Sequence, residues 1–530
     1  MRFLYTLIIF FICTTTFAQQ QTGIIPMPDK FVIGKGFFTL NNRSTISYNS
    51  EQLKMIAYYF QCELLSQKGI TVQQKSNSAS IVLVLKSNKK NADSSAYQVS
   101  IQPGQIIVSS SHPQGIFYGL ISVLQLSLSS KNNQILSAEI TDTPAYVWRG
   151  LMLDESRHFF GKEKVKSVLN WMSFYKLNTF HWHLTDEPAW RLEIKKYPNL
   201  TLIGGIGDYL NPDLPAQFYT QTDIKEIVAY AAERYIKVIP EIDMPGHATA
   251  ANKAYPEFTG GGSAGHPEFT FNPGLEKTYG YLTDILKETN VLFPYGWIHL
   301  GGDEVSYGNE KWKSNPDILK LREREKLTND AAVEHYFMKR MADSLYQLNA
   351  KGIFWDEMAN VDLPKDKTII FWWRQEKPEQ LRTALSKGYS TVLCPRLPLY
   401  FDFVQDSTHQ YGRKWNKLYN PIEQVYQFDA QNFATNAKEK LLILGIQANL
   451  WTETVDNNSR LDYLLFPRIA ALAEAAWTHQ NRKDFKIFNA NLIQHLALYS
   501  KASLYYYHPS KPLLNPEIPV KRKKPLNYKD

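Results

Sequence analysis

Asp303 and Glu304 stand side by side behind Gly301-Gly302, at the end of the apolar stretch Trp297-Ile298-His299-Leu300. Adjacent carboxylates at a strand end point in different directions, so one can transfer a proton while the other orients a group or balances charge. Such a pair is ordinarily a solvated turn, but the apolar lead-in and two glycines able to take tight geometry favour function here. Other short apolar runs carry similar residues. Arg149 flanks a run ending at Asp154, with Arg157-His158 beyond it, and further runs lead into His181-Trp182-His183-Leu184-Thr185-Asp186 and Glu241-Ile242-Asp243-Met244-Pro245-Gly246-His247. Later runs lead into Trp355-Asp356-Glu357, Trp372-Trp373-Arg374, Tyr400 with Asp402, and Trp451-Thr452-Glu453. No nucleophilic Ser or Cys is among them. Carboxylates, rings and guanidinium groups suit a polyhydroxylated ligand, whose hydroxyls accept from Arg and donate to carboxylates while an apolar ring face stacks on Trp. Of the twelve tryptophans, Trp355, Trp372, Trp373 and Trp451 lie at late run ends, a bias that core packing alone does not explain.

Residues scattered this widely need a scaffold that gathers strand ends. From Tyr146 onward, apolar runs at 148–153, 178–184, 238–242, 297–300, 352–355, 368–373, 391–394 and 442–446 alternate with amphipathic stretches at 165–175, 223–235, 278–289, 331–348, 378–387 and 461–477. Ile224, Ile227, Val228 and Ala231 share one helix face, with Lys225, Glu226 and Glu233 turned away. Eight such runs alternating with helices predict an α/β fold, a (β/α)8 barrel of parallel strands with its chemistry at the strands' carboxyl ends. Before it, a Ser-, Asn- and Gln-rich region has β-type runs at 81–85 and 105–108 and helix-like stretches at 52–67 and 112–126. It reads as a small α+β domain with no cluster of acids, His or Cys, hence a scaffold. The expected division is a leader at 1–18, the α+β domain at 22–142, the barrel at 143–498 and a tail at 499–530 whose run Lys521-Arg522-Lys523-Lys524 is a solvated end.

Composition narrows the class. The 530 residues carry 59 Lys+Arg against 51 Asp+Glu, a net +8 that is small for this length and makes nucleic acid a poor partner. A hydrophobic share of 44% supports a large core and excludes a disordered chain. Met1-Arg2, the apolar run 3–13 and Thr14-Thr15-Thr16-Phe17-Ala18 have the parts of a signal peptide, with cleavage expected after Ala18. The run is too short for a membrane span, so the mature chain is expected to be exported, periplasmic or secreted, and soluble. Cys62 and Cys394 then remain, expected as two buried free thiols. The sequons at Asn42, Asn199 and Asn457 do not settle the host.

Cleavage of a glycosidic bond needs one carboxylic acid held protonated for the leaving oxygen and a second group supporting the oxocarbenium-like centre. Nearby rings and the like charge of Asp303 favour a protonated Glu304, so the acid falls to Glu304. Together with Gly115-Ile116-Phe117-Tyr118-Gly119-Leu120 in the first domain, the motifs above closely resemble the β-N-acetylhexosaminidases of glycoside hydrolase family 20 over almost the whole mature chain. The resemblance implies exo-acting, retaining hydrolysis of terminal N-acetylhexosamines without metal or cofactor. In that scheme the substrate's acetamido oxygen attacks, and an oxazolinium ion forms. It further implies that Asp303 orients the acetamido nitrogen and Tyr400 binds the acetamido oxygen. Trp355, Trp373 and Trp451 would wall the pocket, and Arg149, Asp402 and Glu453 would hold hydroxyls at its closed end. Asp186, Asp243 and His247 would support the acid. Where the family often has Asp-Gln-Gly-Trp-Arg, this chain reads Glu187-Pro188-Ala189-Trp190-Arg191, which leaves that loop's conformation open.

Two other classes compete. His181-x-His183 would suit a metal-dependent barrel hydrolase, but later strand ends carry Trp, Asp and Glu where such enzymes need Lys and more His, so the pair reads as packed or hydrogen-bonded barrel residues. A sugar-binding protein without catalysis would not need both Asp303 and Glu304. The choice between gluco and galacto sugars, the linkage and the oligomeric state, a homodimer included, stay open, as does whether Trp372 or Trp373 faces the pocket, Trp373 being favoured.

Overall fold

In the first domain, alternation of side chains sets the sheet's faces: along Tyr97–Gln102, Tyr97, Val99 and Ile101 are buried while Gln98 and Gln102 are exposed. The structure, a computed structural model, describes residues 22–75, 78–87, 93–414 and 417–520, so the leader and the basic run at 521–524 lie outside the described residues. Strands β1 (Lys30–Thr39), β2 (Thr45–Tyr48), β3 (Gln73–Gln74), β4 (Ile81–Leu85), β5 (Tyr97–Gln102), β6 (Gln105–Ser110) and β7 (Gln134–Asp142) form one mixed sheet in the order β1-β7-β5-β6-β4-β2-β3. Helices α1 (Lys54–Lys68) and α2 (Pro113–Ser129) pack on it. Helix α2 is buried from Gly115 to Ser127 because the barrel covers what the sheet does not. Its Gln125 carboxamide bonds both the N–H and the carbonyl of Ile25 and the carbonyl of Phe174.

All eight apolar runs become barrel strands: β8 (Trp148–Asp154), β9 (Thr179–His183), β10 (Lys237–Met244), then, past a small ribbon of β11 (Thr259–Gly261) and β12 (Thr270–Phe271), β13 (Trp297–Gly301), β14 (Lys351–Trp355), β15 (Thr368–Trp372), β16 (Ser390–Leu393) and β17 (Ile443–Leu450). They close in parallel, β17 pairing with β8 through Gly445↔Trp148 to Leu450↔Leu153. Inside the barrel, Trp148, Met152, Ile239, Ile353, Phe371 and Val392 fill one cluster. Outside it, α3 (Lys162–Phe174) and its counterparts pack by their apolar faces. The helix Gln221–Ala232 buries Ile224, Ile227 and Ala231 and starts with a capping box between Thr220 and Asp223.

Three expectations change. The stretch 461–477 is two buried helices, Asn458–Leu465 and Arg468–Trp477, because Pro467 has no N–H to continue the first. Cys62 is exposed, since it lies on the solvent side of α1; Cys394 is buried, and both are free. Residues after 499 are not a simple solvated tail as far as 520: helix Phe485–Lys501 runs past that point, Tyr506 and Tyr507 are buried, and Glu517 pairs with Arg460 at 3.1 Å.

Candidate active site

The turn after β13 sets the Asp303-Glu304 pair. Gly301, Gly302 and Glu304 all have positive φ (68°, 90° and 51°), so the chain folds back sharply and turns both carboxylates into the barrel mouth. At Gly301 a Cβ would stand 1.8 Å from Asp243 Oδ1, so no other residue fits. A cavity of about 160 Å³ opens there, lined by Arg157, His247, Asp303, Glu304, Tyr307, Trp355, Trp373, Arg396, Tyr400, Arg413, Trp451 and Glu453. Every lining residue belongs to the barrel and its loops. Asp303 is almost enclosed, its side chain 11% exposed, whereas that of Glu304 is 29% exposed and can meet both ligand and water.

Behind the pair runs a chain of alternating acids and bases. His247 places Nε2 at 3.6 Å from Asp303 Oδ2 and 3.8 Å from Glu304 Oε2, while its Nδ1 meets Asp186 Oδ1 at 3.0 Å. Asp186 Oδ2 receives His183 Nε2 at 2.8 Å and Arg157 Nη1 at 2.6 Å, and His183 Nδ1 meets Glu241 Oε2 at 2.5 Å. Glu241, wholly buried, also takes the indole N–H of Trp355 at 2.8 Å and lies 3.0 Å from His181 Nε2 and 2.9 Å from His299 Nδ1. Burial opposes charge on His183 and His247, yet the flanking carboxylates outweigh it and hold both imidazoles well above their ordinary range. Asp186 and Glu241 are correspondingly held well below theirs, the surrounding cations overriding burial. Asp303 goes the other way: burial, then the carboxylates Glu241, Glu357 and Glu304, outweigh His247 and push it up to about 8. Asp243 is pushed well above its usual range by burial and by Asp303.

The walls are aromatic. Trp373 and Tyr400 lie nearly parallel with centroids 6.4 Å apart, and Trp355 and Trp451 close the far side at 6.2 Å from each other. Trp373 therefore faces the cavity, while Trp372 packs outward on Phe433 at 5.2 Å. Burial keeps the Tyr400 phenol neutral and able to donate. Glu453 lines the cavity beside Arg413, and Asp402 pairs with Arg413 Nε at 3.1 Å.

Arg149 does not reach this cavity. Its guanidinium lies at the opposite end of the barrel, bonding the carbonyls of Lys176 and Tyr146 and the Tyr118 hydroxyl, 4.8 Å over Trp477. The cause is its place at the start of β8, whereas ligand-facing groups follow strand ends. Arg157, three residues past Asp154, is the arginine flanking β8 that does line the pocket, over Trp451 at 5.0 Å. Position along the strand would have told the two apart. Arg396 stands two residues past the run 391–394 and Tyr307 three past Glu304, so the strand-end signal reaches both, whereas Arg413 lies farther along the chain and has none; Glu241 and His183 belong to the strand-end motifs, their joint role hidden until β9 and β10 are paired. His181 and His183 are hydrogen-bonded barrel residues, His181 Nδ1 taking the Gln447 amide at 3.0 Å. In the divergent loop, Glu187 pairs with His266 at 2.9 Å and buried Arg191 bonds the carbonyls of Glu155, Ser156, Gly205, Gly207 and Gln217.

Comparison with known proteins gives a consistent picture. Residues 146–480 match the description "Glycosyl hydrolase family 20, catalytic domain", and residues 21–143 match its "domain 2". A beta-hexosaminidase of Porphyromonas gingivalis is 31% identical over 490 residues, 89% of this chain; the chain spans only 62% of that protein. A beta-hexosaminidase of Vibrio furnissii is 33% identical over 471 residues, covering 85% of this chain and 76% of that one. The crystal structure of an exo beta-N-acetylglucosaminidase from Vibrio harveyi in complex with N-acetylglucosamine aligns with a TM-score of 0.85 at 32% identity, over 92% of this chain and 79% of that one.

Proposed function

Since the chain belongs to glycosyl hydrolase family 20, we propose that it is an exo-acting, retaining β-N-acetylhexosaminidase that removes terminal N-acetylhexosamines by substrate-assisted catalysis. The observation that carries this reading is the enclosed Asp303 beside the more exposed Glu304 at the foot of a small pocket walled by Trp355, Trp373, Trp451 and Tyr400. The only other carboxylate in the lining, Glu453, lies 3.4 Å from Arg413, which suits holding hydroxyls better than attacking carbon.

The sugar's acetamido oxygen attacks its own anomeric carbon while Glu304 passes its proton to the departing glycosidic oxygen, whose bond to that carbon breaks. The oxazolinium ion so formed is positive. Asp303 acts as its carboxylate throughout: it accepts the acetamido N–H and balances the growing positive charge, which offsets the cost of burying the anion. Tyr400 donates to the acetamido oxygen. Glu304, now a base, takes a proton from water as the water oxygen bonds the anomeric carbon and the ring of the intermediate reopens, with configuration retained. Arg157, Arg413, Asp402 and Glu453 hold hydroxyls at the closed end, which limits the pocket to a terminal sugar. Asp186, Asp243 and His247 support the pair. The apolar leader supports export of the mature chain, periplasmic or secreted.

Paired aryl glycosides with and without the 2-acetamido group provide the test. Hydrolysis confined to the amidated sugar is expected, with strong inhibition by a thiazoline mimic of the intermediate. Equal turnover of plain glucosides would overturn anchimeric attack.

A further inference from the structure

Asp243 is a buried acid whose carboxyl is left open. It is 3% exposed, its backbone N–H is held by Thr185 Oγ1 at 3.0 Å, and among the described residues neither Oδ1 nor Oδ2 has a hydrogen-bond partner. Two neighbours are open in the same way: Asp303 Oδ1 and His247 Nε2 are buried without hydrogen-bond partners. One ligand atom from each of the three lies within 4.8 Å of the others. A bare carboxylate in a dry site is unfavourable unless a proton or a cation joins it.

The surroundings favour the cation. His247 uses Nδ1 on Asp186 at 3.0 Å, the carboxylate–histidine arrangement that turns the other ring nitrogen towards a metal. Glu304 Oε2, 3.8 Å from His247 Nε2, offers a further donor on the cavity side. Gly301 leaves the room, since a Cβ there would stand 1.8 Å from Asp243 Oδ1. One imidazole and two carboxylates with an open side match the mixed donors of zinc better than the all-oxygen octahedron of magnesium.

We propose that Asp243, His247 and Asp303 form a binding site for one divalent cation of the zinc type, and that its occupation blocks the sugar pocket. The blocking half rests on the functional reading above, in which Asp303 meets the acetamido N–H; the binding half does not.

Calorimetric titration of the full chain with zinc chloride tests it. The expected result is one saturable ion per chain, weakened at least about tenfold in Asp243→Asn and also in Asp186→Asn, which reaches the site only through His247. Circular dichroism reports whether each variant folds. Anomalous diffraction from a zinc-soaked wild-type crystal gives an answer even if neither does, with a peak expected about 2.0–2.2 Å from the three side chains. No saturable binding, unchanged affinity in folded variants, or a peak elsewhere would overturn the site. N-acetylglucosamine should weaken zinc binding; indifference overturns the blocking half. Zinc bound as described by a chain that splits no N-acetylglucosaminide strikes the functional reading instead and leaves the site standing.

Discussion

Asp303 and Glu304 differ by environment more than by chemistry, and that difference makes separate outcomes for their variants. Glu304→Gln removes the proposed proton donor but keeps the shape, so we expect a fall of about 10²–10⁴-fold in kcat for an aryl N-acetylglucosaminide with sugar binding kept. Normal turnover would remove Glu304 from its role. Arg157→Gln deletes a cation that meets Asp186 at 2.6 Å and lines the cavity. A rise in KM of about 10–100-fold is expected, the scale of one or two charged hydrogen bonds. An unchanged KM would mean that the guanidinium serves only the acids behind it. The acid pair and the aromatic walls were legible in the sequence because each stands just past an apolar run. The arginine was misplaced because Arg149 and Arg157 flank the same strand, and residue type alone does not say which end of it faces the ligand.

At the scale of elements, the β13 turn is the part least tolerant of change. Gly301→Ala would place a methyl against Asp243 Oδ1 at positive φ, so we expect a loss of more than about 1 kcal/mol in stability together with a large loss of activity. Denaturant unfolding beside a kinetic assay measures both; a variant of wild-type stability would show that the turn can relax. Strands and helices were readable wherever burial is two-sided or period 3.6 is clean, as in Trp148–Asp154 and Gln221–Ala232. The break at Pro467 was readable too, since proline forbids the helix its neighbours' pattern suggests. Helices on irregular loops, such as Thr249–Ala254 behind His247, follow from tertiary contacts and leave no period to find.

Taken whole, the molecule stores protons in its interior. Burial pushes Glu155 and Asp303 up to about 8 and Asp402 and Glu474 up to about 7, while the unfolded chain releases these protons near 4. His183 and His247 are also raised, so from pH 6.5 to 8 the folded state holds the more protons and stability must fall as pH rises. The lowered His181 and His495, at about 4, act with opposite sign but mainly below pH 6.5, and Lys176, Lys237 and Lys483, lowered to about 8, oppose it only above that. Thermal melts should therefore show Tm dropping between pH 6.5 and 8; a flat or rising Tm would refute this balance. At the far end of the barrel, Arg149→Ala strands the carbonyls of Lys176 and Tyr146, at a cost of about 2–4 kcal/mol, with KM unchanged. A shifted KM there would mean that the two ends of the barrel communicate.

Helix α2 has hardly any face of its own left for water. Tyr118 and Gln125 tie it to the barrel's underside, and Trp477 packs into the first domain's core. A fragment beginning at residue 143 would thus be born with a raw greasy floor, and we expect it to clump during expression unless the missing 22–142 piece is supplied in trans. Recovery of a soluble, monomeric fragment would show that the floor can heal itself.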